Sequence, residues 1–246
     1  MKNILEVCCG SFEDVYFAQL GGADRVELNC ALSLGGLTPS LANLIKCKKE
    51  LNIPVICMIR PRGAGFCYRD KDLEVIFEDA KLFLEYGADG LAFGFLNEDF
   101  TIDIENTKKM VTLIHSYNKE AVFHRAFDVA LDIDASIKTL IDLKVDRILT
   151  SGKEKNVCIG QDNLAYLQKH YGDQIEILAG SGVKEENISE LAINTGIKQF
   201  HSSAKTWFID KTTDNKHVSY AYHHSDDYEV VDSEKVKSLK MILNNL

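Results

Sequence analysis

The sequence predicts a single-domain (β/α)₈ TIM barrel, an α/β fold, spanning residues 1–246. Short runs rich in Val, Ile, Leu and Phe alternate with amphipathic stretches along the chain. Eight such strand-then-helix units can be counted, and that number closes more naturally into a barrel than into an open sheet. A length of 246 residues, 46% of them hydrophobic, suits one barrel with a full core.

The hydrophobic runs predict the strands in order along the chain. They cover residues 4–7, 25–28, 55–59, 90–93, 121–124, 147–150, 176–179 and 199–202. A doubly wound sheet is the alternative fold. It is disfavoured because Cys8-Cys9-Gly10-Ser11 follows the first strand, where a dinucleotide-binding sheet would have G-x-G-x-x-G.

The amphipathic stretches predict a helix after each strand. They cover residues 11–20, 41–51, 72–86, 105–117, 133–143, 162–170, 185–194 and 233–246, and a polar loop region at about 204–231 precedes the last helix. Similar joints connect helix to strand at Gly22-Ala23-Asp24, Gly87-Ala88-Asp89, Lys144-Val145-Asp146 and Gly196-Ile197-Lys198. A glycine there suits the left-handed residue that ends a helix.

Composition excludes several classes of partner. A formal charge of -9 disfavours nucleic acid and anionic membranes, which would repel such a surface. No apolar run is long enough to cross a bilayer. Seven scattered cysteines and the lack of a signal-peptide pattern predict reduced thiols in the cytoplasm. We therefore expect the partners to be small molecules or further copies of the chain.

The carboxyl ends of the strands are the expected location of the chemistry, because barrel enzymes use the loops at that face. The candidate catalytic residues there are Glu6, Glu27, Arg60, His124, Asp128 and His201. Side-chain alternation predicts that Glu6 and Glu27 point into the barrel, where a carboxylate needs a partner. We expect Arg60, with Arg125 or His124, to supply it. The alternative for Glu6 and Arg25 is a purely structural ion network.

A second pattern predicts an anion site. Gly180, Ser181 and Gly182 follow the seventh strand and Ser202 ends the eighth, where barrels bind phosphate. Further candidate ligand-binding residues at the same face are Arg62, Arg125, Thr150 and Ser151. The ligand would be a small anionic or phosphorylated molecule. In the alternative, the two glycines only turn the chain.

Seven motifs in this order resemble the copper homeostasis protein CutC family. They are Leu5-Glu6-Val7-Cys8-Cys9, Gly22-Ala23-Asp24-Arg25-Val26-Glu27-Leu28, Gly35-Gly36-Leu37-Thr38-Pro39-Ser40, Met58-Ile59-Arg60-Pro61-Arg62-Gly63, His124-Arg125-Ala126-Phe127-Asp128, Ile148-Leu149-Thr150-Ser151-Gly152 and His201-Ser202-Ser203. The resemblance spans nearly the whole chain. It implies a (β/α)₈ barrel, a cytoplasmic and self-associating protein, and a role in copper handling.

The resemblance also implies a copper site. The family places cysteines at the ends of the first two strands, and the first corresponds to Cys8. At the second position this chain has Asn29, and Cys30 follows one residue later. Cys8 and Cys30 are therefore the candidate metal ligands, and copper is the candidate cofactor. In the loop after Arg60, Ala64 and Gly65 replace the Gly and Asp of the family pattern.

Three functional hypotheses remain open from the sequence. The first is a copper(I)-binding protein without turnover. The second is an enzyme acting on a small anionic metabolite, with Glu6, Glu27 or His124 as acid or base and Asp128 orienting His124. The third is an inactive barrel used as an interaction module. Substrate, reaction and oligomeric state are left undetermined by the sequence.

Overall fold

The computed structural model describes residues 2–224 and 227–246, and its centre is a closed barrel of parallel strands. Each strand pairs with the next along the chain, and the eighth closes onto the first. The strands are β1 (Ile4–Cys9), β2 (Arg25–Leu28), β3 (Val55–Met58), β4 (Gly90–Phe93), β5 (Glu120–Phe123), β6 (Arg147–Thr150), β7 (Glu176–Gly180) and β8 (Gln199–Ser202). The predicted TIM-barrel fold is confirmed.

Helices connect consecutive strands and cover the outside of the barrel. They are α1 (Phe12–Leu20), α2 (Leu41–Glu50), α3 (Asp70–Glu85), α4 (Ile104–Ser116), α5 (Ala126–Val129), α6 (Ile133–Asp142), α7 (Gln161–Tyr171), α8 (Ile188–Thr195) and α9 (Ser233–Asn244). None of the helices in the described part of the chain combines the length and apolar character needed to span a bilayer.

Three of the differences from the predicted element boundaries, all near the barrel mouth, bear on the site. β1 extends two residues further, through Cys9, and the short helix α5 follows β5 directly. Helix α8 begins at Ile188 rather than 185, because Asn187 closes a turn by accepting the Lys184 N–H and donating to the Gly182 carbonyl. The amino end of α8 is therefore separated in sequence from Ser181 and Gly182.

The recurring helix-to-strand joints have a common structure. Gly87 and Gly196 adopt left-handed backbone angles, with φ of 91° and 73°, as predicted for residues that end helices. The aspartates of the joints accept a backbone N–H from the first or second residue of a neighbouring strand: Asp24 from Leu5, Asp89 from Val55 and Asp146 from Ala121. Each joint therefore fixes the amino end of a strand as well as ending a helix.

The segment expected to be a polar loop, 204–231, contains a two-stranded antiparallel sheet. Its strands are β9 (Lys205–Ile209) and β10 (Asp227–Val231). The β9 sequence, Lys-Thr-Trp-Phe-Ile, is rich in the β-branched and aromatic residues that favour strands. Asp14 of α1 accepts the Val231 N–H and so attaches the hairpin to the barrel.

Candidate functional site at the barrel mouth

The inside of the barrel carries one small apolar cluster, formed by Ile56, Met58, Ala92 and Val122. Much of the remaining inward surface is polar, because β1, β2 and β8 direct charged or sulfur-bearing side chains toward the axis. The register sets Glu6 beside His201 and Cys8 beside Glu27 on neighbouring strands. The carboxylates predicted to face inward are buried, each at most 3% exposed.

Glu6 is held between two partners. It accepts a hydrogen bond from Arg25 Nε and lies 2.8 Å from His201 Nδ1. Burial on its own would raise the pKa of Glu6, but the charges of Arg25 and His201 outweigh it and hold the pKa far below its usual value. Both oxygens of this carboxylate have partners, which suits Glu6 to orienting Arg25 and His201.

Three potential metal ligands meet above Glu6. Ligand atoms of Cys8, Glu27 and His201 lie within 4.8 Å of one another, and His201 Nε2 is 3.9 Å from Glu27 Oε2. Burial tends to lower the pKa of His201, but contacts with Cys8 and Glu6 and the charge of Glu27 raise it well above its usual value. Burial also raises the pKa of Cys8 and that of Glu27. We call these three residues the Cys8 cluster.

Asn29 lies against one side of the Cys8 cluster. Its Nδ2 donates to Glu27 Oε2 at 2.9 Å and lies 3.6 Å from Cys8 Sγ. Asn29 is fully buried, and its Oδ1 has no hydrogen-bond partner among the described residues. The residue that replaces the cysteine of the family pattern is therefore directed at the cluster.

Cys30 does not join the Cys8 cluster. Its thiol donates to the Thr38 carbonyl at 3.0 Å, and its backbone pairs with Leu37 in an isolated antiparallel bridge. One step along an extended chain reverses the direction of the side chain, which explains why Asn29 faces the cluster and Cys30 does not. The structure does not bring together the candidate metal pair Cys8 and Cys30.

A cavity of about 480 Å³ opens at this mouth. Its walls include the Cys8 cluster, Asn29 and, among the other predicted site residues, Arg60, His124, Arg125 and Asp128. Ser181 and Gly182 also line it. The expectation that residues from distant parts of the sequence would converge at one mouth is therefore met for most of the candidates.

Arg60 does not pair with the buried carboxylates, contrary to expectation. Its guanidinium donates to the carbonyls of Leu34, Gly36 and Ala64 at 2.7 to 3.0 Å. The partner of Glu6 is instead Arg25, its registered neighbour on β2. Arg60 thus fixes the two loops that follow β2 and β3.

His124 is buried and neutral. Burial, with the charges of Arg60 and Arg125, lowers its pKa to about 3. The Ala126 N–H donates to its Nδ1, which places the ring proton on Nε2. Nε2 has no hydrogen-bond partner among the described residues.

Asp128 does not orient His124, which was the predicted role. Its carboxylate instead accepts from Thr150 Oγ1, from the backbone and hydroxyl of Ser151, from Arg125 and from the Lys153 N–H. Thr150 and Ser151 are thereby used inside the protein and do not line the cavity. These hydrogen bonds fix Asp128, which in turn holds the partly exposed Arg125 side chain at the rim of the cavity.

Three other predicted ligand-binding residues, Arg62, Ser202 and Gly180, lie outside the cavity lining. Arg62 binds Asp72 and the carbonyls of its own loop, and Ser202 donates to the Val183 carbonyl. Gly180 has a packing role, because a Cβ there would lie 2.5 Å from Leu149 Cδ1. The loop glycines therefore do different things: Gly180 admits a neighbouring side chain, whereas Gly182 lines the cavity.

Two cavity residues come from the hairpin. Lys205 of β9 and Glu229 of β10 form an ion pair at 2.7 Å and line the cavity. Neither residue is predicted from the sequence, which indicates a polar loop for this segment. The β-branched and aromatic run beginning at Lys205 is a signal for β9, whereas the acidic sequence of β10 gives no such signal for Glu229.

Comparison with known proteins gives consistent matches. The sequence model described as the CutC family matches residues 3–206. A CutC family protein of Treponema denticola is 47% identical over 205 residues, covering 83% of this chain and 82% of that protein. The human copper homeostasis protein cutC homolog is 37% identical over 248 residues, covering 99% and 90%. A crystal structure of CutC from Streptococcus agalactiae superimposes with a TM-score of 0.77 at 32% identity, covering 82% of this chain and 98% of that one.

Proposed function

The chain belongs to the CutC family, and we propose that it serves copper homeostasis by binding Cu(I) at the Cys8 cluster. The names of its human and mouse relatives support the link to copper. The observation that carries the proposal is the convergence of a thiol, an imidazole and a carboxylate within 4.8 Å at the mouth of the barrel.

The donor set fits Cu(I) through two of its members. Cu(I) is a soft ion that prefers thiolate sulfur and accepts imidazole nitrogen. Cys8 offers the sulfur, and His201 offers Nε2 because its Nδ1 faces Glu6. A carboxylate behind a ligating histidine fixes the ring orientation and is a frequent partner of metal-binding histidines. Glu6 is suited to that supporting role.

Glu27 is the residue that distinguishes a Cu(I) site from a Zn²⁺ site. Carboxylate oxygen is a poor ligand for Cu(I), whereas a Cys, His and Glu set also suits Zn²⁺. The nearby amide of Asn29 holds Glu27 by a hydrogen bond, which favours leaving that carboxylate outside the coordination of a soft ion. We therefore infer a site formed by Cys8 and His201, with Glu27 beside it.

The test is a titration of reduced protein with Cu(I) against a competing chelator. Wild type should bind one Cu(I), and Cys8→Ser should abolish competition because the only thiolate of the cluster is lost. Cys30→Ser is the matched control, since its thiol is engaged by Thr38. It should bind as wild type does.

Two outcomes would sink the copper proposal. One is Cu(I) binding that is unchanged in Cys8→Ser. The other is Zn²⁺ binding that outcompetes Cu(I) in the same assay and depends on Glu27, which would assign the site to a harder ion.

The cellular setting is part of the proposal. All seven cysteines are free thiols, which supports a reducing compartment, and we infer the cytoplasm. Self-association is inferred from family resemblance. Fractionation of cells and mass measurement by light scattering test these two points directly; a secreted protein or a monomer at micromolar concentration would contradict them.

A further inference from the structure

We propose that the cavity also binds a small organic anion, a carboxylate or a phosphate monoester, whose charged group lies against Arg60 and His124. These residues come from the ends of β3 and β5, whereas the proposed copper ligands come from β1 and β8. The proposal does not rest on copper binding and can be tested on metal-free protein.

Arg60 supplies a buried positive charge without a negative partner. Arg60 is only 6% exposed, and no carboxylate in the described chain is within ion-pair distance of its guanidinium. Its Nη atoms donate to neutral carbonyls, and its Nε–H has no partner. A buried charge is costly when it is uncompensated, so an anion bound next to Arg60 would be stabilised.

His124 adds a second donor without a partner. Because Nδ1 accepts from the Ala126 N–H, Nε2 carries the proton of the neutral ring and can only donate. The residue is 3% exposed, lines the cavity, and leaves this N–H unsatisfied among the described residues. An unmet buried donor costs about 1–3 kcal/mol, and a ligand oxygen would remove that cost.

The two donors belong to one wall of the cavity. The Phe66 ring lies 5.2 Å from the Arg60 guanidinium carbon and 5.0 Å, centre to centre, from the His124 ring. The charge of Arg60 also contributes to the low pKa of His124, as expected for close neighbours. The wall thus presents positive charge and N–H donors around one aromatic ring.

Most other cationic side chains of the cavity already have a carboxylate partner within the protein, unlike Arg60. Arg125 is paired with Asp128, Lys205 with Glu229, and His201 with Glu6. Lys184 at the rim has no ion pair within residues 2–224 and 227–246, and it can attract an anion toward the mouth. The charge left uncompensated is therefore concentrated at Arg60, with Lys184 as a solvated addition.

The shape of the cavity indicates an organic ligand rather than a bare ion. A volume of about 480 Å³ is typical of a metabolite-sized site and far exceeds that of inorganic phosphate. Leu32, Met58, Phe66 and Leu149 line it alongside the polar groups. The ligand should have an apolar body next to its charged group.

Calorimetric titration of reduced, chelator-treated protein tests this proposal. The probes are phenyl phosphate and benzoate, with uncharged benzamide as the isosteric control for benzoate and inorganic phosphate as a ligand without an apolar body. We expect saturable one-to-one binding of the two aromatic anions. Benzamide and inorganic phosphate should each bind at least about tenfold more weakly, the ratio that one charge-assisted hydrogen bond provides.

Two substitutions of His124 test whether its Nε2–H donates to the bound anion. His124→Met removes the N–H at similar volume and should weaken phenyl phosphate about tenfold, whereas His124→Gln keeps an N–H and should stay near wild type. Lys198→Gln removes one positive charge before β8, at the opposite end of the barrel, and should change nothing. Arg60→Met should abolish binding. If that variant does not fold because three carbonyl contacts are lost, the His124 pair still decides the matter.

Three results would overturn the proposal. They are an absence of saturation by either aromatic anion at millimolar concentration, binding of benzamide equal to that of benzoate, and equal affinities of His124→Met, His124→Gln and wild type. In each case Arg60 and His124 would be assigned to the packing of the barrel mouth and not to anion binding.

Discussion

His124 links the local chemistry of one side chain to the pH dependence of the whole protein. In the unfolded chain its pKa has the ordinary value of 6.5, and in the native protein burial and two arginines lower it to about 3. Between these values the unfolded chain binds a proton that the native chain does not, so stability falls as pH falls through that window. The loss is about 1.4 kcal/mol per pH unit.

The first prediction follows from this sign. Between pH 6.5 and 5, the free energy of unfolding of wild type should fall by about 2 kcal/mol more than that of His124→Gln, which has no group to titrate there. Urea unfolding at the two pH values measures the difference. His217→Gln, which removes an exposed histidine, should follow wild type. Parallel losses in wild type and His124→Gln would show that His124 does not titrate in this way.

The site could be predicted from sequence only in part, and Glu6 shows why. Alternation along β1 correctly predicts that Glu6 faces inward, because every second residue shares a face. Its partner depends on the stagger of β1 against β2 and β8, which sets Glu6 opposite Arg25 and His201. Arg60, the expected partner, is drawn instead to three carbonyls of its neighbouring loops. Stagger and loop conformation are long-range properties that a local pattern does not contain.

At the scale of elements, the contact between α1 and α9 is unusually close at Gly21. A Cβ at this position would lie 2.5 Å from Val236 Cβ and 2.6 Å from the Ser233 carbonyl oxygen. The backbone of Gly21 has φ of −74°, which any residue can adopt, so the requirement for glycine is steric and comes from the neighbouring helix. The two helices can approach this closely only with a hydrogen at that position.

The second prediction is that Gly21→Ala lowers the free energy of unfolding by about 1–3 kcal/mol, the usual cost of forcing extra volume into a packed contact. Gly65→Ala is the matched control, because nothing lies within 4 Å of its added Cβ. It should change stability by less than about 0.5 kcal/mol. Thermal or urea unfolding distinguishes the two, and equal stabilities would mean that α9 shifts freely to accommodate the methyl group.

The barrel strands are predictable from sequence because they are short apolar runs between clear helix ends. The β9–β10 hairpin is not, since its two strands are separated by a long polar stretch and one of them, Asp-Tyr-Glu-Val-Val, carries two acidic residues. Its attachment to the barrel involves Asp14 of α1, which accepts the Val231 N–H and lies 217 residues away in the sequence. The hairpin in turn brings Lys205 and Glu229 to the cavity. Because the hairpin is not predicted, these two cavity residues are not predicted either.

At the scale of the whole molecule, Arg147 closes the inside of the barrel at its amino-terminal end. Its side chain is 1% exposed and binds Glu120 and Glu176, each about half exposed, at 2.7 and 2.8 Å. The three residues connect β5, β6 and β7. The Arg147 cation is enclosed, whereas Glu120 and Glu176 can turn toward water. Loss of the carboxylates should therefore cost more than loss of the cation.

The third prediction uses this asymmetry. The double variant Glu120→Gln/Glu176→Gln leaves Arg147 buried without its carboxylates and should cost about 3 kcal/mol or more of unfolding free energy. Arg147→Met leaves its two partners solvated, keeps Arg25 and His201 as partners of the buried Glu6, and fills the space with an apolar chain, so it should cost less than the double variant. Denaturant unfolding of the three proteins provides the comparison. A larger loss in Arg147→Met would show that the arginine contributes mainly through its own packing and hydrogen bonds.

The hydrogen bond between Glu6 and His201 joins residues 195 positions apart and has a consequence for synthesis of the chain. At 5–20 residues per second, a ribosome needs roughly 10 to 40 s to deliver the histidine after the glutamate has been made. During that interval β1 has no β8 to pair with, and its carboxylate is free to stay hydrated. The waiting strand therefore still carries in water the charge that the finished barrel encloses, and a charged residue makes an unpaired strand a poorer template for aggregation.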